Sequence, residues 1–144
     1  MRATLKIIGL DEADQRLGAV DQVVQDRSAV LPVLLNVLEP VAERARQIVP
    51  VHSGRLQGDI TTGDRAENGS EGEDVAAYVG PSTDAFYAED VEFGRPASVS
   101  ASGREHDATT PHPFMRPAWD AEVDGLQARL ATGLGLLIKR AAED

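Results

Sequence analysis

Apolar side chains recur along much of this chain at three- and four-residue steps, and only the middle departs from that rhythm. Residues 28–49 carry the longest stripe: Leu31, Leu34, Leu35, Leu38, Val41, Ala42, Ala45, Ile48 and Val49 share one helical face. Ser28 stands where an N-cap belongs. Pro32 is tolerable near the first turn, Pro40 removes a mid-helix amide and predicts a kink or split, and Pro50 ends the helix. A shorter helix is expected from Asp11, read as its N-cap, to about Asp26, with Leu17, Val20, Val23 and Val24 on one side and Gly18 weakening it. From Phe114 the helical period returns, with Trp119, Val123, Leu126, Leu130, Leu134, Leu137 and Ile138 as the stripe; Gly133 and Gly135 lower helix propensity there.

Between the helices the period changes. Residues 3–9 are rich in β-branched side chains, close on Gly9 and predict a strand. Residues 56–63 and 74–80 predict two more, with Val75, Ala77 and Val79 on one face of the second. The polar stretch 64–73 between them holds Asn68-Gly69, so an antiparallel hairpin with a long tip is expected. The pattern leaves residues 87–94 open as a helical turn running into a third strand. Residues 95–111 are mostly small, polar or charged, with Val99 the only large apolar side chain, and predict a flexible loop. The order is that of an α+β domain over residues 1–144. Its small, mainly antiparallel sheet packs against a long kinked N-terminal helical region and a C-terminal helix.

Charge narrows the range of partners. Fourteen basic residues stand against 24 acidic ones, a net charge of −10. Such a chain has no general attraction for nucleic-acid phosphate or for an anionic membrane surface. The apolar run near Val30 to Leu38 is too short and too interrupted to cross a bilayer, and the first residues lack the apolar stretch of a signal peptide. With no cysteine, disulfides and thiolate chemistry are excluded. The expectation is a soluble protein made in the cytoplasm.

Motifs for catalysis are sparse. No phosphate-binding glycine loop, His-Glu-x-x-His pair or nucleophile elbow is present. His106, Asp107 and His112 lie close in sequence but in the polar loop, where solvated histidines are the simpler account than a metal site. His52-Ser53 are neighbours without a third triad member. Glu89, Asp90 and Glu92 lack the spacing of a calcium loop and read as a solvated acidic face. No enzymatic activity, cofactor or metal is expected.

Three clusters remain. They are Val49-Pro50-Val51-x-Ser53-Gly54-Arg55-Leu56, Tyr87-Ala88-x-x-Val91-Glu92-Phe93-Gly94, and Pro113-Phe114-Met115-Arg116-Pro117-Ala118. On composition alone they are structural corners. Together and in this order they resemble the tail-completion, or neck, proteins of lambda-like siphophages. Gln57-Gly58-Asp59 and Arg95 depart from that pattern, at positions where the family usually carries a basic and a hydroxyl residue before Ile60, and a threonine after Gly94.

The resemblance implies a virion protein that forms a homo-oligomeric ring, taken as hexameric, at the head–tail junction. Head-closure and tail-terminator or tail-tube proteins would be its neighbours, and DNA would pass through without specific binding. An acidic surface suits that conduit, since like charges keep DNA from sticking. Arg55, Glu92, Arg95 and Arg116 are then expected to hold local geometry or subunit contacts, with Arg55 pairing Glu92. Phe93, Phe114 and Trp119 are expected in the core, and residues 95–111 are expected to order on a neighbouring subunit. Two rivals stand beside this reading: an acidic nucleic-acid mimic that blocks a DNA-processing enzyme, and a small hydrolase using the loop histidines.

Overall fold

The computed structural model describes residues 10–64 and 75–143. The strand expected over residues 3–9 and the tip expected over residues 65–73 lie outside them. The fold is α+β: N-terminal helices, two small antiparallel two-strand sheets, and a long C-terminal helix.

Helix α1, Leu10–Gln25, begins one residue before the expected cap, so Asp11 lies in its first turn. Helix α2, Arg27–Ile48, follows after a break at Asp26. Asp26 is the cap rather than Ser28: its Oδ1 accepts from the Ser28 amide at 2.8 Å and from the Ser28 hydroxyl at 2.7 Å. Pro40 does not split α2, which is one helix from cap to cap with both prolines inside it. Val49 ends it in an extended conformation before Pro50, its amide still bonded to the Ala45 carbonyl at 2.9 Å.

The strand expected over residues 56–63 begins only at Ile60. Helix α3, Arg55–Asp59, occupies its first half. Leu56 and Ile60 are four apart and both buried, a spacing that puts them on one face of a helix or of a strand alike. Strands β1, Ile60–Asp64, and β2, Ala77–Pro81, then pair antiparallel from Ile60↔Pro81 to Asp64↔Ala77, as the hairpin pattern predicts. Arg46 ties this sheet to α2, its Nε donating to the Ile60 carbonyl at 3.0 Å, and Arg27 meets Asp64 at 2.8 Å.

Residues 87–94 resolve as helix α4, Ala88–Phe93, with no strand after it. Gly94 ends α4 at φ 74° and ψ 168°, a region essentially closed to other residues. The segment expected as an unpaired loop forms a hairpin. Arg95 and Thr109 exchange backbone hydrogen bonds of 3.0 and 2.8 Å, and β3, Ser98–Val99, pairs with β4, Glu105–His106. Ser100 closes the turn, its amide donating to the Arg104 carbonyl at 2.8 Å while its hydroxyl accepts from the Arg104 amide at 3.1 Å. Serine and glycine there serve turn geometry.

Helix α5, Met115–Glu143, packs along α2. The core lies where α2, α3, β1, α4 and the start of α5 converge, around Val41, Ala45, Leu56, Ile60, Ala88, Phe114 and Ala118. Much of it is alanine, which lets helix backbones approach closely. At Gly133 a methyl group would lie 2.5 Å from Val33 Cγ1, so α5 can approach α2 there only because the residue is glycine. No helix of the described residues is long and apolar enough to cross a membrane.

Candidate functional site: a carboxylate-capped corner beneath an aromatic groove

The N-terminus of α5 is built around Glu92. A helix leaves its first four amides without internal partners. For α5 these belong to Phe114, Met115, Arg116 and residue 117. Glu92 Oε2 accepts from the Phe114 and Met115 amides at 2.7 and 2.9 Å, and Oε1 accepts from Arg116 at 3.0 Å. The fourth amide does not exist, because residue 117 is proline. The first internal bond follows at once, from the Ala118 amide to the Phe114 carbonyl at 3.3 Å. All four orphan positions are thus accounted for by one carboxylate and one proline. Buried at 7% exposure, that carboxylate also faces the positive end of the helix dipole.

The neighbouring motif residues complete the corner. The His112 amide donates to the Val91 carbonyl at 2.7 Å, holding the chain that enters α5 against α4. At Gly94 a side chain would meet the Thr109 carbonyl oxygen at 2.7 Å and Pro111 Cδ at 2.8 Å. Arg95 Nη1 donates to Asp90 at 3.0 Å, bracing the hairpin base on α4.

The site residues read from sequence fare unevenly. Glu92 and Arg95 hold local geometry. The Arg55–Glu92 pair does not form: Glu92 is taken up by backbone amides, and Arg55 is exposed at the start of α3. Arg116 contributes its amide to the cap while its guanidinium reaches outward to Asp120 at 3.1 Å. Phe114 is core at 1% exposure. Phe93 and Trp119 are not: they are 74% and 40% exposed. Phe93 is turned outward because Glu92, its neighbour on α4, takes the inward position. Trp119 is displaced because its predecessor Ala118 occupies the point of closest approach.

These exposed rings share a groove of about 660 Å³ formed by the end of β2, α4 and the first turn of α5. All three phenylalanines and the single tryptophan line it, with Met115 and Pro81. Phe86 is 86% exposed, projecting from a turn whose preceding residue, Ala85, is buried, and its ring meets Tyr87 edge-on at 5.8 Å. Glu92 forms part of the groove floor and Arg116 part of its rim. Sequence reasoning found most residues of the corner but missed the groove. Its signal was Phe86-Tyr87 beside Phe93, an aromatic density that the sparse aromatic content makes unusual.

His52 and His112 line a cavity of about 170 Å³ with Tyr87, while His106 lies on β4. Among the described residues no group of three or more histidine or carboxylate side chains is placed to hold a metal ion. Glu89, Asp90 and Glu92 take separate roles on α4: exposed rim, ion pair and helix cap. The chain matches no protein-family model, no curated protein and no solved structure.

Proposed function

We propose that the chain is a structural protein of a tailed-bacteriophage virion, working at the head–tail junction as one subunit of a homo-oligomeric ring, taken as hexameric. The ring joins tail to head and surrounds the DNA path without binding DNA specifically. Its neighbours are head-closure and tail-terminator or tail-tube proteins, and it is put together in the bacterial cytoplasm. It acts through contacts and catalyses nothing.

The observation that carries this reading is the groove. A water-exposed phenylalanine forgoes roughly 1.5–3 kcal/mol of burial. This chain leaves Phe86 and Phe93 largely in water around one concavity, with Trp119 half in water beside them. Clustered exposed aromatics set on a rigid frame mark a protein–protein contact, and aromatic anchors dominate such interfaces energetically. The frame is the Glu92-capped corner, which explains in physical terms why the tail-completion-like motifs occur together. The acidic-mimic rival finds less support. Asp64, Asp90, Asp120, Glu39, Glu43 and Glu122 are engaged by arginines, and the exposed Glu12, Asp84, Glu105 and Asp124 sit at four separate places along the chain.

The test is the mass of the purified chain in solution, alone and with phage head or tail extract. A closed ring, or incorporation into particles, is expected. A chain that stays monomeric and joins no particle would overturn the assembly reading.

A further inference from the structure

We propose that residues 1–9 of one copy fill the aromatic groove of a neighbouring copy, so that identical chains are linked head to tail. This rests on the assembly reading above and names the occupant of its groove.

The groove calls for an apolar segment that carries positive charge. Its rings Phe86, Phe93 and Trp119 are exposed. Glu89 stands exposed on its rim and makes no ion pair among the described residues. The one cation there, Arg116, is taken by Asp120 at 3.1 Å, and the Glu92 carboxylate is taken by backbone amides. Asp84, between the groove residues Thr83 and Ala85, adds a second exposed carboxylate. The unanswered charge at this surface is therefore negative.

Apart from Asp144, two stretches of the chain lie outside the described residues, and their chemistry differs. Residues 65–74 hold Glu67, Glu71, Glu73 and Asp74 against Arg65, with Ala66 their only apolar side chain, so this surface repels them. Residues 1–9 hold Leu5, Ile7 and Ile8 together with Arg2 and Lys6, and no acidic side chain, in a chain whose net charge is −10. The aliphatic groups cover the rings while a basic side chain meets Glu89, and a cation over an aromatic face adds to the attraction.

Reach sends this segment to another copy. It leads into α1, whose first turns, through Glu12 and Gln15, share a cleft with Ala141 and Glu143 at the end of α5. The groove lies at the opposite end of α5, at Met115 and Trp119. At about 1.5 Å per residue, α5 separates Trp119 from Ala141 by roughly 33 Å. The chain from Leu5 to Leu10 covers at most about 18 Å when fully extended. Leu5 and the isoleucines after it therefore fall short of their own groove. An insert at one end of the molecule and a receptor at the other make a heterologous contact, which closes into a ring when the rotation between copies allows.

Two substitutions test this: Leu5→Asp disables the insert and Phe86→Asp the groove. Far-ultraviolet circular dichroism and thermal midpoints should match the parent. By sedimentation across a concentration series, each variant alone should lose at least tenfold in association. Mixed, the two should form a one-to-one heterodimer and nothing larger, because only one intact insert can meet one intact groove. A synthetic peptide of residues 1–9 contains no aromatic residue, so Trp119, the single tryptophan, reports its arrival. Added to the Leu5→Asp chain, the peptide should shift that emission to shorter wavelength, and added to the Phe86→Asp chain it should not. If Leu5→Asp assembles like the parent, or the peptide leaves the emission of its open groove unchanged, residues 1–9 are not the occupant and the assembly reading stands. If the parent itself never associates, alone or on particles, both fall.

Discussion

At Glu92 one side chain does what several residues do at most helix starts, and the sensitivity of the corner follows from that concentration. Glu92→Gln keeps the shape but turns one acceptor into a donor facing an amide donor. Hydrogen bonds to charged groups contribute about 1.5–3 kcal/mol each, and a buried donor left facing another donor adds to the loss. A destabilisation of about 2–3 kcal/mol is expected, a fall in thermal midpoint of roughly 6–10 °C for a chain of this size. A thermal melt showing less than a degree of change would remove Glu92 from this role. Gly94→Ala is expected to cost about 2–3 kcal/mol, because a backbone region open only to glycine is strained for alanine and a methyl group would press on a carbonyl oxygen. Asp26 offers a pH-dependent case. Its hydrogen bonds to the Ser28 hydroxyl and amide hold its carboxyl below the usual range. A lowered folded value means the cap contributes fully above about pH 4 and is lost as pH falls through that folded value. Asp26→Asn keeps an acceptor that does not titrate, so its thermal midpoint should fall less steeply than the parent's in acid; parallel slopes would refute the cap's titration.

Among the elements, α5 separates what hydrophobic pattern can tell from what it cannot. The periodicity locates the helix, and Leu126, Leu130, Leu134 and Leu137 of its stripe are half-buried, Leu126 against the core, whereas Trp119, Val123 and Ile138 are exposed. The inward face also includes the small residues Ala118, Gly125, Gly133 and Ala141, with Glu122 and Arg129 partly covered. Large side chains dominate a hydrophobic pattern, whereas closest helix approach selects the smallest ones. Helix α3 was hidden for another reason: Leu56 and Ile60 are four apart, which puts them on one face of a strand as of a helix, so the pattern does not separate the two. The β1–β2 hairpin was legible because alternation and a turn sequence coincide, and the motifs that enclose Glu92 were legible as clusters. Glu92's partners were not, because its ligands are backbone amides and a sequence records only side chains. Paired substitutions in α5 weigh the two effects. Gly135→Ala meets open space and should stabilise by about 0.5–1 kcal/mol through helix propensity. Gly133→Ala gains the same propensity but drives a methyl group against Val33, and overpacking at about 1–3 kcal/mol outweighs it. Denaturant midpoints should therefore move in opposite directions, and a joint rise would mean α2 and α5 are not in close contact at Gly133.

For the whole molecule the proposed assembly sets a net charge of −10, which would keep copies apart, against an apolar groove, whose burial would bring them together. Their responses to salt differ in sign. Exposed ion pairs contribute only about 0–1 kcal/mol each, and salt weakens them. Repulsion between two chains of like net charge acts over longer distances, and at about 0.15 M salt the screening length is already near 8 Å. Burial of Phe86, Phe93 and Trp119 does not depend on screening. Raising salt from about 0.05 to 0.5 M should therefore strengthen self-association, because repulsion falls while apolar burial persists. Phe86→Ser with Phe93→Ser should abolish that association at every salt concentration while leaving the fold intact, since both rings are largely in water in the single chain. Sedimentation of parent and double variant across the salt series measures both effects. Self-association that weakens with salt would mean attraction between charges holds the copies together and would refute apolar burial at the groove as its source. A salt-sensitive complex with a basic DNA-processing enzyme, formed by a chain that remains monomeric, would favour the acidic mimic instead.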